Sequence, residues 1–176
     1  MLVRIARDDD WESCLGIDLS YETDASWQMD TRQESGEWRM SFREIHLPRT
    51  LRIQPPPPDE NSLKAWQRRD GFWVAIEHRK ISGYLGLDVD QARRQAQITD
   101  LVVAPEERRH GMATALLERA TEWCLRQHIN QLVLVSSLKA YPAIAFALKQ
   151  RFVFCGFQDA YWPGQEVALF FRQRIR

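Results

Sequence analysis

VVAPEERRHGMATA, residues 102–115, reads as the end of a strand, a proline stop, two acids, two arginines and the opening of a helix at Gly111. A strand-to-helix junction of this kind presents several unpaired backbone N–H groups at the positive end of a helix dipole, which is an anion cradle. Gly111 lets backbone come close to a bound group, Ala113 keeps the first turn open, and Arg108 and Arg109 bring positive charge to where a phosphate would sit. The other phosphate signatures fail: there is no GxxxxGKS/T run, and one isolated glycine fits neither a P-loop nor a dinucleotide fingerprint. A well-capped structural helix with a solvated basic first turn is the plain alternative.

Working outward from the junction, the spacing of Met112, Leu116, Ala120 and Trp123, with Ala113, Leu117 and Cys124 beside them, predicts a helix over 111–128 with one broad buried stripe. The apolar run LVLV (132–135) predicts a central strand covered on both faces. Residues 142–150 read as a short helix with Pro142 in its tolerated first turn, and 152–157 and 167–172 as two closing strands around a Trp162-Pro163-Gly164 turn. Upstream, 72–78, 81–89 and 95–103 read as three antiparallel strands in a meander. At the start, 1–6 reads as a strand, and Asp8 to Asp10 cap a helix running through Trp11, Leu15 and Leu19. Residues 20–29 show no clean period. Trp38, Met40 and Phe42 alternate as a strand that Pro48 should stop, with Leu51 and Ile53 as its partner. Pro55 to Pro58 form a stiff connector into a short helix over 63–68. The fold class is therefore α/β (α+β), with a mixed, largely antiparallel central sheet of about six to seven strands flanked by helices.

A chain of 176 residues suits a single domain, 1–176, and 44% hydrophobic with 27% charged residues is ordinary globular composition. Lys plus Arg and Asp plus Glu are 24 each, so the net charge is zero; duplex nucleic acid, which demands a cationic surplus, is not the expected partner. Nothing approaches the ~18 apolar residues of a membrane span and the N-terminus turns acidic, so the expectation is a cytoplasmic protein without membrane contact. Cys14, Cys124 and Cys155 have no metal-ligand spacing and read as core thiols; no metal is expected. His46, His78, His110 and His128 are scattered, with no hydrolase arrangement. A reading of the PPPP run as a ligand for an aromatic groove rests on composition alone.

Residues 102–115 resemble the signature of the GNAT family of N-acetyltransferases, Gln/Arg-x-x-Gly-x-Gly/Ala at the turn after the fourth strand. The likeness extends through DLVVAP (100–105) as that strand, 111–128 as its long helix, 132–136 as the fifth strand, and PAIAFALKQRF (142–152) as the next helix and its exit. Within the family, DLSYETDASWQ, VAPEERRHGMATALLERATEW and FVFCGFQDAYWPG resemble streptothricin-type acetyltransferases. The resemblance implies an acyl-CoA N-acyltransferase (GNAT) fold and an acetyl-CoA site in a splayed gap between the fourth and fifth strands. The amides of Arg109, His110, Gly111, Met112, Ala113 and Thr114 would hold the pyrophosphate with Arg108 beside them. Leu101, Val102 and Val103 would pair their backbone with pantetheine, and a strand amide would stabilise the oxyanion.

The chain departs from the family where a helix Tyr, an Asn and a Gly are common: these places hold Ala147, Ala140 and Arg151. The usual acid to the departing thiolate is absent, which a thiol of pKa near 8.5 tolerates, and Tyr141 and Tyr161 are the candidate substitutes. Attack needs a neutral amine, so Asp100, beside the expected thioester, is the candidate base; the alternative is a strand-end carboxylate satisfied by backbone or arginine. Asp18, Tyr21, Asp24 and Trp27, with Glu22, form a candidate acidic and aromatic wall for a cationic amine, with plain solvation as the alternative. The expected reaction is direct acetyl transfer from acetyl-CoA to a primary amine on a small molecule, of aminoglycoside or streptothricin type, or on a peptide. The competing class is an acyl-CoA sensor without turnover. Pairing of C-terminal strands between two chains would give a homodimer.

Overall fold

The computed structural model describes residues 1–162, 164 and 166–176. Seven strands form one sheet in the order β1-β4-β5-β6-β7-β9-β8: β1 (Leu2–Ile5), β4 (Gly71–Glu77), β5 (Lys80–Asp90), β6 (Gln95–Val103), β7 (Gln131–Ser137), β8 (Val153–Trp162) and β9 (Glu166–Arg174). Every neighbouring pair is antiparallel except β6 and β7. That pair is joined by a crossover helix, as a parallel connection requires. The expected mixed, largely antiparallel sheet is found, and its closing turn falls on Pro163, outside the described residues.

Side chains alternate across the sheet and build two cores. On one face Trp73, Ala75, Leu85, Leu87, Ala96 and Ile98 pack under α3 (Met112–Arg126) and α4 (Tyr141–Lys149). On the other, Phe72, Val74 and Tyr84 meet Cys14 of α1 (Trp11–Leu15) and Trp66 of α2 (Glu60–Trp66). Phe72 stacks on Tyr84 with ring centroids 5.4 Å apart, and Trp66 lies against both.

The largest departure from the sequence expectation lies between α1 and α2. All but the first residue of the aperiodic stretch 20–29 belongs to β2 (Tyr21–Glu34), and Pro48 does not stop the next strand but sits inside β3 (Glu37–Ile53). Leu51 and Ile53 therefore continue β3, and the true partner is β2: Tyr21 faces Ile53 and Glu34 faces Glu37. The register shift between Thr23 and Ala25 accommodates Pro48, because a proline survives where the ladder is interrupted. This hairpin is a second, two-stranded sheet.

Smaller corrections concern ends and caps. The first helix stops at Leu15, with Gly16 as its C-cap, and does not reach Leu19. Asp10 does not cap α1 by its side chain; it is buried, accepts from the Arg7 amide at 2.7 Å to close the 3-10 turn before α1, and takes the Arg4 guanidinium, with Nη2 to Oδ1 at 2.8 Å. Helix α3 is shorter than 111–128, with Gly111 as N-cap and its last residue at Arg126. It closes with His128 at φ 59 and the Ile129 amide donating to the Cys124 carbonyl at 2.9 Å, a Schellman stop. Cys14 and Cys124 are core thiols as expected, but Cys155 is exposed on β8, the outer strand. Among the described residues no helix is long and apolar enough to cross a membrane.

Candidate active site

Strands β6 and β7 share a ladder only from Gln95/Gln131 to Ile98/Leu134. Beyond that point β6 keeps β5, with Asp100 opposite Gly86 and Val103 opposite Gly83, while the rest of β7 pairs with β9. Residues 99–103 therefore have no strand on their β7 side, and an unpaired strand edge takes up another extended chain. This is the gap the resemblance implied. At its head lies the start of α3. The first helix amide to reach a carbonyl is that of Ala115, bonded to Gly111 at 3.0 Å, so those of Gly111, Met112, Ala113 and Thr114 point out of the helix end. No side chain caps them and the first turn carries no acid. Gly111 stands at φ 87, and a Cβ there would meet nothing within 4 Å. The corner is open rather than plugged, and its dipole favours an anion.

A register shift between Gly86 and Leu87 sets which way the reactive side chains point. Ile98 faces the α3 side, and so do Leu101 and Val103, whereas Val102 packs against the α1 and α2 side. Residues 98 and 100 would share a face in a regular strand; the extra residue at Thr99 flips the parity and turns Asp100 toward α2. There Asp100 Oδ1 accepts from the Trp66 indole Nε1 at 3.2 Å, and Oδ2 accepts from Thr99 Oγ1 at 2.9 Å with Arg69 Nη2 at 3.5 Å. Gly86 makes the seat: a Cβ there would lie 3.0 Å from Asp100 Oδ2 and 3.1 Å from Phe72. The Asp100 side chain remains 22% exposed. Buried Tyr84 is on the same face, and burial together with the Asp100 charge pushes its phenol above the ordinary tyrosine range, so it stays neutral.

The other candidates fall in distinct places. The Arg108 guanidinium is committed to carbonyls, with Nε on Val103 at 2.9 Å and Nη1 on Ser20 at 2.7 Å, tying the loop after β6 to the segment before β2. Burial lowers its pKa, opposed by Asp18 and Glu106. Arg109 and His110 are exposed beside the open amides. The Tyr141 hydroxyl donates a hydrogen bond to Glu44 Oε1 of the hairpin at 3.1 Å, which raises its pKa, with the charge of Asp24 adding to the effect. Tyr161 packs edge-on against Phe170, with centroids 5.6 Å apart. Phe171 belongs to the α3-side core, so alternation puts Phe170 and its Tyr161 neighbour on the sheet face that Asp100 uses, out on β9 and β8.

The residues of the expected wall lie on β2 and the segment just before it. The Asp18 carboxylate accepts from Ser20 N at 2.8 Å and Ser20 Oγ at 2.7 Å. Burial and Glu166 raise the pKa of Tyr21. Asp24 is exposed. Trp27 packs against the α3-side core and donates its amide to Leu138 O at 2.9 Å. Burial pushes the Cys14 and Cys124 thiols up to about 12 and raises Cys155 as well, which makes all three poor nucleophiles at neutral pH. Among the described residues no group of three His, Cys, Asp or Glu side chains could hold a metal. Trp66, Arg69 and Glu44 escaped the sequence reading because each reaches its partner across 31 to 97 positions, leaving no local spacing to detect.

The acetyltransferase (GNAT) family model matches residues 38–152, about two thirds of the chain and including the whole junction. The chain belongs to the acetyltransferase (GNAT) family. The enzyme class read from the sequence, an acetyl-CoA-dependent N-acetyltransferase, is the one this family carries. Streptothricin acetyltransferase of Streptomyces lavendulae is 23% identical over 166 residues, covering 92% of this chain and 86% of that one. Rat N-acetyltransferase family 8 member 3 is 32% identical over 78 residues, 42% of this chain, which spans only 34% of that relative. Among solved structures, nourseothricin acetyltransferase superposes with a TM-score of 0.85 at 23% identity, covering 99% of this chain and 98% of the other. A candidate streptothricin acetyltransferase of Bacillus anthracis, in complex with acetyl coenzyme A, superposes at 0.77 and 19% identity, with 99% of each chain covered. At such identities these structures establish the shared GNAT fold.

Proposed function

We propose that this GNAT chain, acting as one unit over 1–176, transfers the acetyl group of acetyl-CoA directly to a primary amine. The acceptor we propose is a cationic small molecule of streptothricin or aminoglycoside type, with a peptide amine as the other class. The observation that carries the reading is the one-sided half of β6 running into a bare helix N-terminus. The chain's unpaired edge and its unpaired amides are the two partners that a pantetheine amide and a diphosphate require. Acetyl-CoA supplies an activated thioester when bound; the residues of this chain do the rest. Amides of Arg109, His110, Gly111, Met112, Ala113 and Thr114 hold the diphosphate, Arg109 adds charge, and Arg108 shapes the loop through its carbonyl bonds. The backbone of Leu101, Val102 and Val103 holds the pantetheine. Asp100 receives the amine proton at a carboxylate oxygen, directly or through water, and Tyr161 is the proposed donor to the departing sulfur in preference to Tyr141, whose hydroxyl is engaged by Glu44. Asp18, Tyr21 and Asp24 remain the proposed acceptor contacts on the hairpin side, with Trp27 as the packed base beneath them.

The Streptomyces lavendulae relative and the two solved structures are named as streptothricin or nourseothricin acetyltransferases, which supports that acceptor class, as do the exposed carboxylates of Glu22, Asp24 and Glu44. A cytoplasmic location goes with the three free cysteines, which suit a reducing compartment. A homodimer through the outer edge of β8 belongs to the same proposal, and sedimentation of the purified chain tests it. The deciding experiment is release of free CoA thiol with a panel of amines. Sustained release with a polycationic antibiotic and little with simple alkylamines is the expected result. Tight CoA binding with no release from any amine would instead establish a sensor, the reading favoured by Ala147, fully buried where the family's acid is common.

A further inference from the structure

We propose that Arg69 is a positioning residue that fixes the direction and the charge balance of Asp100 at the acceptor face. The inference rests on the transfer reaction proposed above. Arg69 lies one turn past Trp66, its amide bonded to the Trp66 carbonyl at 3.1 Å, so both side chains issue from the end of α2. Together they hold Asp100 by its two oxygens, the indole on Oδ1 and the guanidinium on Oδ2. The second guanidinium arm, Nη1, is bonded to Asp88 Oδ2.

Asp88 faces Gln97 on one side of the register shift, and Asp100 faces Gly86 on the other. Arg69 is therefore a staple across the irregularity that turns Asp100 toward α2. An exposed ion pair contributes little, but the Arg69 and Asp100 side chains are each only 22% exposed, and Arg69 Nε is buried with no partner. Burying a donor unbonded is unfavourable, so the fold keeps this guanidinium in place against a cost that a mobile surface arginine avoids. Its planar fork reaches two carboxylates at once, which a lysine ammonium, a point charge on a flexible stem, does not do with the same geometry.

The charge count also matters. One cation stands against two carboxylates, so a single negative charge is left uncompensated beside the open edge of β6. That suits an arriving ammonium group whose proton must be removed. With Arg69 gone, Asp100 keeps Trp66 on Oδ1 and Thr99 on Oδ2 but loses the cation that anchors Oδ2 toward α2, and its charge is joined by that of Asp88.

The test uses R69Q and R69K in the full chain, with circular dichroism melts to confirm folding. Two readouts are compared with wild type: steady-state kinetics with acetyl-CoA and the best amine, and the Trp66 indole N–H resonance, assigned by its loss in W66F. In R69Q, kcat should fall about tenfold to a hundredfold while KM for acetyl-CoA stays within about twofold, as expected when a reacting group is misplaced without loss of cofactor grip. The Trp66 resonance should move, and R69K should restore part of kcat. An R69Q enzyme with wild-type kcat and an unmoved indole resonance would overturn the inference. If wild type itself releases no CoA with any amine, the transfer proposal fails, and the indole resonance alone then decides whether Arg69 sets Asp100.

Discussion

From Gln95 to Ile98 strand β6 has a hydrogen-bonded strand on each side and its inward side chains, Ala96 and Ile98, are buried in the α3-side core. From Thr99 to Val103 it has β5 alone, its side chains are half-buried, and one carboxylate sits in a seat built by α2. The two halves share a strand and differ in one inserted residue and one missing neighbour. The first half gives up its ladder capacity to stability. The second keeps backbone groups unpaired, a state disfavoured in an isolated sheet and useful once a substrate chain completes the ladder.

Breaking the open half chemically should have the largest effect. Asp100→Asn keeps the shape of the side chain and removes proton acceptance, so kcat should fall about a hundredfold or more with the melting temperature nearly unchanged. Wild-type turnover in this variant would remove Asp100 from the reaction. Breaking the closed half should do the reverse: Ile98→Ala opens a cavity in the core and should cost about 2–5 kcal/mol in denaturant unfolding, whereas Leu101→Ala three positions on should cost about 1 kcal/mol. Equal losses would show that the two halves are equally structural.

Gly111→Val tests the junction that the open half leads into. A Cβ meets nothing in the chain itself, so stability should drop by only about 1–2 kcal/mol, the strain of a left-handed residue, while CoA affinity by calorimetry falls at least about tenfold. Acid sharpens the contrast at the far edge of the sheet. The Arg4 guanidinium, bonded to Asp10, holds that carboxyl below its usual range, so its contribution is present above the ordinary carboxylate pKa and lost as pH falls through the lowered value. Acid unfolding of Asp10→Asn should accordingly be less steep than that of wild type. The smallest effect is a gain. Arg151 sits at φ 63 in the stop of α4, where the Phe152 amide returns to the Ala147 carbonyl at 3.0 Å; Arg151→Gly should stabilise by about 1 kcal/mol.

The meander, the long helix and the closing strands were legible because each buries one face of a regular element, and burial writes a period of 2 or 3.6 into the residues. The hairpin was not. Residues 30–41 are exposed on both faces, so no burial imposes a period, and Pro48 reads as a terminator unless the register shift opposite it is known. Gly111 was legible as the opening of the long helix from its spacing. Arg108 was legible as a cation at the junction, but its binding to the Val103 and Ser20 carbonyls was not, since nothing local says where a long side chain will find acceptors.

The sequence by itself determined the order of elements outside the hairpin, the family, and the open amides at the head of α3, because these depend on residues within a few positions of one another. Only the tertiary structure decided that Asp100 faces α2, that Trp66 and Arg69 grip it, and that Tyr141 is bound to Glu44. Those contacts join segments 31 to 97 residues apart, and the Asp100 contacts follow from one extra residue in a strand, whose effect on facing exists only once the strand is paired.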